Sequence, residues 1–135
     1  MILVDADSVA GWRRARPSLD QLWDVVGALQ SQFPDATIAV VGDPSFKWAL
    51  AEQERRRLDD AIVEGQLVLS PAGAVQGHKG FLHTVLHVCR QQKKSTALLT
   101  DRAVEGARLV RMSRRDGRWV FDLVDSEISR TAFRG

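Results

Sequence analysis

The stretch Met1-Ile2-Leu3-Val4-Asp5-Ala6-Asp7-Ser8 decides how the rest of the chain is read. A short apolar run ends in two carboxylates with a single alanine between them. Continuous apolar runs of this length are typical of strands buried on both faces, which implies a parallel sheet covered by helices. The same ending recurs late in the chain, where Ala97-Leu98-Leu99-Thr100 meets Asp101. Right-handed crossovers bring the carboxyl ends of parallel strands to one edge, and ligands of α/β proteins bind there. Acids gathered on that edge repel each other, so the pattern predicts a cation to hold.

Outward from this stretch, strands and helices alternate. After the strand at residues 2–4, Ser18 is an N-cap for a helix over residues 19–32, with Leu22, Val25, Val26 and Leu29 at helical spacing. Residues 37–41 read as a second apolar strand, and Gly42-Asp43-Pro44 as turn chemistry before a helix from Ser45 to about Val63. A third strand over residues 66–69 leads into a loop from Ser70 to Gly77. Phe81, Val85, Leu86 and Cys89 mark a helix over residues 79–91. Strands are expected at residues 96–99 and 119–124, with a helix over residues 103–112 between them. The expected fold is a three-layer α/β/α sandwich with a mainly parallel central sheet of about five strands.

The chain has 135 residues, of which 44% are hydrophobic and 27% charged, a balance suited to one soluble domain. No apolar run approaches the ~20 residues that span a bilayer, and the opening run is too short for a signal peptide. The single cysteine, Cys89, lies in an apolar helical stretch and reads as a buried reduced thiol, so a cytoplasmic protein is expected. Net charge is only +2, but arginines cluster at Arg13-Arg14-Arg16, at Arg55-Arg56-Arg57 and between Arg108 and Arg118. Such groups can neutralise phosphates, or can simply form solvated faces.

On this topology Asp5 and Asp7 leave the first strand, Asp43 the second, and Asp101 the fourth, with Glu105 four residues beyond. Hard cations such as Mg²⁺ or Mn²⁺ bind through a few carboxylates plus water and substrate phosphate. A metal so held can position water and stabilise the charge of a phosphodiester displacement. Each acid also has a structural reading: Asp7 as a turn cap, Asp43 as a helix start, Glu105 as a helix N-terminal acid.

Leu3-Val4-Asp5-Ala6-Asp7-Ser8-Val9-Ala10 resembles the opening motif of PIN-like nucleases of the NYN branch, hydrophobics followed by Asp-Gly-x-Asn-Val-Ala. Ala97-Leu98-Leu99-Thr100-Asp101 resembles their later strand ending in Ser-x-Asp, and Glu105 matches an acid four residues on. Pro44-Ser45-Phe46-Lys47 and Leu67-Val68-Leu69-Ser70-Pro71 are similar to segments of Regnase-type ribonucleases. The resemblance covers roughly residues 1–112. It implies one PIN-like domain over residues 1–130; separately, the abrupt ending in Thr-Ala-Phe-Arg-Gly is compatible with residues 131–135 being a tail that begins a linker. It implies a metal-dependent ribonuclease, endonucleolytic on single-stranded RNA. Asp5, Asp7, Ser8, Asp101 and Glu105 would be catalytic, and Asp5, Asp101 and Glu105 would hold Mg²⁺ or Mn²⁺. Two departures stand out: Ala6 replaces the family's glycine, and the acid expected at the start of the central helix is missing from Gly77-His78-Lys79-Gly80. Asp7, Asp43 or His78 are candidates to compensate.

A substrate RNA across this edge would meet Arg13, Arg14, Lys47, Lys79 and Arg102, with Trp12 and Trp48 available to stack bases or to pack internally. Trp23 and Trp119 read as core. A homodimer or a further domain in a longer protein is compatible with the chain. Two other readings compete. One is a catalytically degenerate PIN-like module that binds RNA or a protein. The other is a haloacid-dehalogenase-type phosphatase, whose opening Asp-x-Asp motif Asp5-Ala6-Asp7 also resembles.

Overall fold

In the computed structural model, which describes residues 1–71, 77–92, 95–101 and 108–125, the opening apolar run forms a strand with every residue buried. The described elements are β1 (Ile2–Asp5), α1 (Ala6–Ala10), α2 (Leu19–Gln32), β2 (Ile38–Gly42), α3 (Phe46–Ala49), α4 (Glu52–Val63), β3 (Val68–Leu69), α5 (Gly77–Gln91), β4 (Ala97–Leu99), β5 (Arg108–Arg115) and β6 (Arg118–Asp125). They build one sheet in the order β3-β2-β1-β4-β5-β6. β1 is central, parallel to β2 with Asp5 opposite Val41, and parallel to β4 with Val4 opposite Leu99. The ends of β1, β2 and β4 therefore share one edge.

Successive β1 side chains point to opposite faces, so the strand feeds two cores. Ile2 and Val4 pack with Leu22, Val25 and Leu29 of α2, and with Phe46 and Leu58 of α3 and α4. Leu3 packs with Leu82 and Leu86 of α5, beside Val41 and Leu98. The sandwich is thus the expected α/β/α arrangement. The Ser18 hydroxyl accepts from the Gln21 N–H at 3.2 Å and caps α2 as the sequence suggests. Cys89 is buried on α5. No described helix is long and apolar enough to cross a membrane.

Three local expectations need correction. Asp7, read as a turn cap, instead stands with Ser8 on the first turn of α1, which follows β1 directly. The helix expected from Ser45 to Val63 is two helices, parted where Leu50 adopts an extended ψ of 155° and buries its side chain. Residues 108–112, expected to end a helix, instead open β5; the remainder of that expected helix lies outside the described residues. β5 and β6 form an antiparallel hairpin that closes Arg115 against Arg118, and Asp116 and Gly117 turn it with φ of 52° and 74°. Asp-Gly is the preferred pair for a two-residue turn needing positive φ at both positions. Strand alternation buries Val110 and half-buries Met112 against the core while Arg111 points away from it. The described sheet therefore has six strands, five parallel and the last antiparallel.

Candidate metal centre at the sheet edge

Asp5 is the last residue of β1 and is fully buried. A buried carboxylate needs donors, and it has them on both oxygens. Oδ1 lies 2.8 Å from Nε2 of His78. Oδ2 accepts from the Thr100 hydroxyl at 2.7 Å and from Ser8 Oγ at 2.8 Å. Burial alone would raise this carboxyl, but the hydrogen bonds from His78, Thr100 and Ser8 outweigh it and hold the group below its ordinary value. Asp5 stays ionised.

Asp7 follows on the first turn of α1, where Oδ2 accepts the Asp43 N–H at 3.0 Å and lies 3.6 Å from Nε2 of His78. Burial raises its carboxyl to about 6; the Asp43 N–H opposes the shift and the nearby Asp5 charge reinforces it. Asp7 therefore carries a proton more readily than a surface aspartate.

His78, in the first turn of α5, has a side chain only 1% exposed. Its Nδ1 lies 2.9 Å from Ser70 Oγ, and Ser70 Oγ lies 3.4 Å from the Gly42 carbonyl. Two proton arrangements satisfy this row. In one, Ser70 donates to Nδ1 and Nε2–H donates to Asp5. In the other, Ser70 donates to the Gly42 carbonyl and accepts from Nδ1–H. Nε2 then turns a lone pair toward two carboxylates, which requires a cation between them, or carries a second proton as imidazolium. The rotatable hydroxyl of Ser70 serves both.

Asp5, Asp7 and His78 each offer one ligand atom, and these atoms all lie within 4.8 Å of one another. Adjacent ligands around a cation with bonds of about 2.1 Å are roughly 3 Å apart, and the His78 separations of 2.8 and 3.6 Å bracket that value. The donor set fits one ion after small side-chain adjustments.

Ser8 lies on the open side of Asp5. Its Oγ is 2.6 Å from Asp101 Oδ1 as well as 2.8 Å from Asp5 Oδ2, and it accepts the Asp101 N–H at 3.2 Å. One hydroxyl proton serves one carboxylate at a time, so Ser8 donates either to Asp5 or to Asp101. Asp101 is exposed and joins the centre through Ser8 instead of sharing the space between Asp5, Asp7 and His78.

The other residues expected at the site are distributed unevenly. Asp43 gives its backbone N–H to Asp7, while its Oδ1 accepts from the N–H and hydroxyl of Ser45. Arg13 lies over the Trp12 ring at 4.4 Å, and Arg14 donates to the Arg16 carbonyl. Lys47 pairs with Asp59 at 2.9 Å, and Lys79 is exposed at the start of α5. Glu105 and Arg102 lie outside the described residues. Trp48 is 66% exposed between Lys47 and Arg55, so internal packing does not account for it. Trp23 and Trp119 are partly buried against the core. Two contributors escaped the sequence reading, Thr100 and Ser70. Thr100 directly precedes Asp101 at a strand end, a signal that was available; Ser70 acts through His78, eight residues on.

No protein-family model matches the chain, and no curated protein matches it in sequence. Among solved structures it is similar to nuclear proteinaceous RNase P 2 (PRORP2) from A. thaliana, with a TM-score of 0.61 and 12% identity over 92% of this chain. The match covers 30% of that protein's length. At this identity the likeness concerns the fold alone, an α/β architecture with a mostly parallel sheet.

Proposed function

We propose that this chain is a metal-dependent ribonuclease whose ion is held by Asp5, Asp7 and His78. The observation that carries the reading is the meeting of these three donors at the shared strand edge. RNA as the substrate class is supported by the structural likeness to a proteinaceous RNase P and by the resemblance of the opening motif to NYN-type nucleases. The Regnase-type branch rests on the Pro44–Lys47 and Leu67–Pro71 segments alone.

In this reading His78 takes the place of the acid missing from the start of the central helix. A bound divalent ion supplies a positioned water and charge stabilisation for the displaced phosphodiester oxygen. The chain's own residues do the rest. Thr100 and Ser8 orient Asp5, and Ser70 fixes the His78 ring. Exposed Asp101 faces the incoming strand, and Glu105, which the family resemblance names as catalytic, is a further candidate. Arg13, Arg14, Lys47, Lys79 and Arg102 are the phosphate-binding candidates. Two carboxylates and an imidazole suit Mn²⁺ better than Mg²⁺, which takes oxygen ligands and gives up its waters reluctantly.

A catalytically degenerate RNA-binding module is the second reading, favoured by one observation. Nε2 of His78 lies at hydrogen-bond distance, 2.8 Å, from Asp5 Oδ1, so an imidazole that carries its proton there can satisfy the carboxylate itself. The complete burial of Asp5 and the engagement of both its oxygens argue against a phosphatase nucleophile at this position.

Cleavage of single-stranded RNA with Mn²⁺, with Mg²⁺ and with chelator separates the first two readings, with Asp5→Asn and Asp101→Asn as controls. The nuclease reading expects Mn²⁺-dependent cleavage that both variants lose. Binding without cleavage in any metal would establish the degenerate module, and equal cleavage by wild type and both variants would remove this site.

A further inference from the structure

Beside the metal centre, β4 ends at Leu99 while β5 continues to Arg115. The uncovered stretch of β5 and the end of α1 enclose a pocket of about 270 Å³. Val9, Leu99, Val110 and Met112 make it apolar, and Trp12 adds an aromatic surface. Its polar lining is Ser8, Thr100, Asp101 and Arg111. Two of these groups, Ser8 and Thr100, donate directly to the Asp5 carboxylate. The pocket is therefore one hydrogen bond from the proposed metal ligand.

We infer that this pocket receives the base of the nucleotide next to the scissile phosphate of a single-stranded RNA. The inference rests on the nuclease reading and adds a subsite to it. A phosphodiester at the metal centre must carry a base on each side, and the apolar recess that opens off the centre suits a planar, largely apolar group. Trp12 is prepared for this role. Its ring meets Trp119 edge-on at 5.3 Å and 68°, and the Arg13 guanidinium lies 4.4 Å from its centroid. Gln21 holds the turn that carries it, donating to the carbonyls of Val9 at 2.8 Å and Trp12 at 3.0 Å. Arg13 adopts φ of 52°, a left-handed conformation rarely taken by a side-chain-bearing residue. That turn puts a cation against the aromatic wall, where charge complements the phosphate of the docked nucleotide. A ring fixed in advance loses little entropy on binding.

The test is fluorescence anisotropy of a short single-stranded RNA, without divalent metal so that it stays intact, against a series with one abasic position moved along the strand. Wild type should bind, and one abasic position should lower affinity at least about fivefold, the lower end of a base–aromatic stacking contribution. Trp12→Ala should weaken the intact RNA by a similar factor and should no longer distinguish the abasic strand. Trp12→Phe should keep most of the discrimination. Met112→Trp, which fills the recess from β5, should lose it even where Trp12→Ala is too unstable to assay. RNA that binds and is cleaved, with an abasic penalty unchanged in Trp12→Ala and Met112→Trp, overturns the base pocket and leaves the nuclease reading standing. RNA that neither binds nor is cleaved by wild type overturns both.

Discussion

The two oxygens of Asp5 are held by unlike regions. On the Oδ1 side lie His78, Ser70 and the Gly42 carbonyl, a closed row of polar groups in which both side chains are buried. On the Oδ2 side lie Ser8 and Thr100, opening through exposed Asp101 onto a pocket. The closed side has its hydrogen bonds made in advance, so it can hold charge and fix geometry. The open side shares one Ser8 proton between two carboxylates and adjoins an apolar recess, so on the nuclease reading it is the side from which a substrate would arrive. Disturbing the closed side should change stability and metal affinity together. Disturbing the open side should change turnover and RNA binding with the fold intact.

The largest expected effect is that of Asp5→Ala, which strips the acceptor from both sides at once. It should abolish Mn²⁺ binding and cleavage, and it should destabilise the protein by about 3–5 kcal/mol, the range for breaking a buried charged pair. Thermal denaturation at pH 7 reads the second effect; a midpoint equal to wild type would mean that the buried row contributes no stability.

Ser70→Ala isolates the closed side more gently. Loss of a partner that orients a ligating histidine typically lowers metal affinity about 10–100-fold, and calorimetric titration with Mn²⁺ should show it. Asp101→Asn, on the open side, should lower cleavage far more than it lowers Mn²⁺ affinity. The reverse ranking would make Asp101 a ligand of the ion and Ser70 a bystander.

Asp7 gives the comparison a pH dependence. Its carboxyl is raised to about 6 in the folded chain, from an ordinary value of 3.8. The folded state therefore binds the proton more tightly, and this contribution to stability is complete below pH ~4 and lost as pH rises through ~6. Without metal, Asp7→Asn should be more stable than wild type at pH 8, by about 1–2 kcal/mol after allowing for partial solvent access, and should show no advantage near pH 4. Metal binding requires the ionised carboxylate, so Mn²⁺ affinity of the wild type should rise between pH 5 and pH 7. Urea denaturation and Mn²⁺ titration across this range check both signs. The smallest effect belongs to Ser18→Ala, remote from the centre, which should cost about 1 kcal/mol through the lost cap of α2 and leave cleavage per folded molecule unchanged.

The parallel centre of the fold was legible because β1 and β4 are continuous apolar runs with acids at their ends, and α2 carries both its cap and its apolar spacing. The β5–β6 hairpin was less legible. Leu109, Val110 and Met112 fit a helical stripe as well as a strand, and the deciding signal is the Asp116-Gly117 turn that follows. At the site, strand-end position alone marked Asp5 and Asp101. His78 is different: its value comes from a contact with Asp5, 73 residues away, made because α5 begins beside the ends of β1 and β2. No local pattern distinguishes such a histidine from one in a solvent-exposed turn. Ser70 is further removed still, since its partner is that histidine.

Mn²⁺ bound to the purified protein and examined by electron spin echo spectroscopy tests the central claim most directly. The predicted result is one Mn²⁺ with coupling to an imidazole nitrogen, the coupling disappearing in His78→Ala and the binding itself disappearing in Asp5→Asn. A nitrogen-free Mn²⁺ signal, or equal binding by Asp5→Asn, would contradict a metal centre built from Asp5, Asp7 and His78.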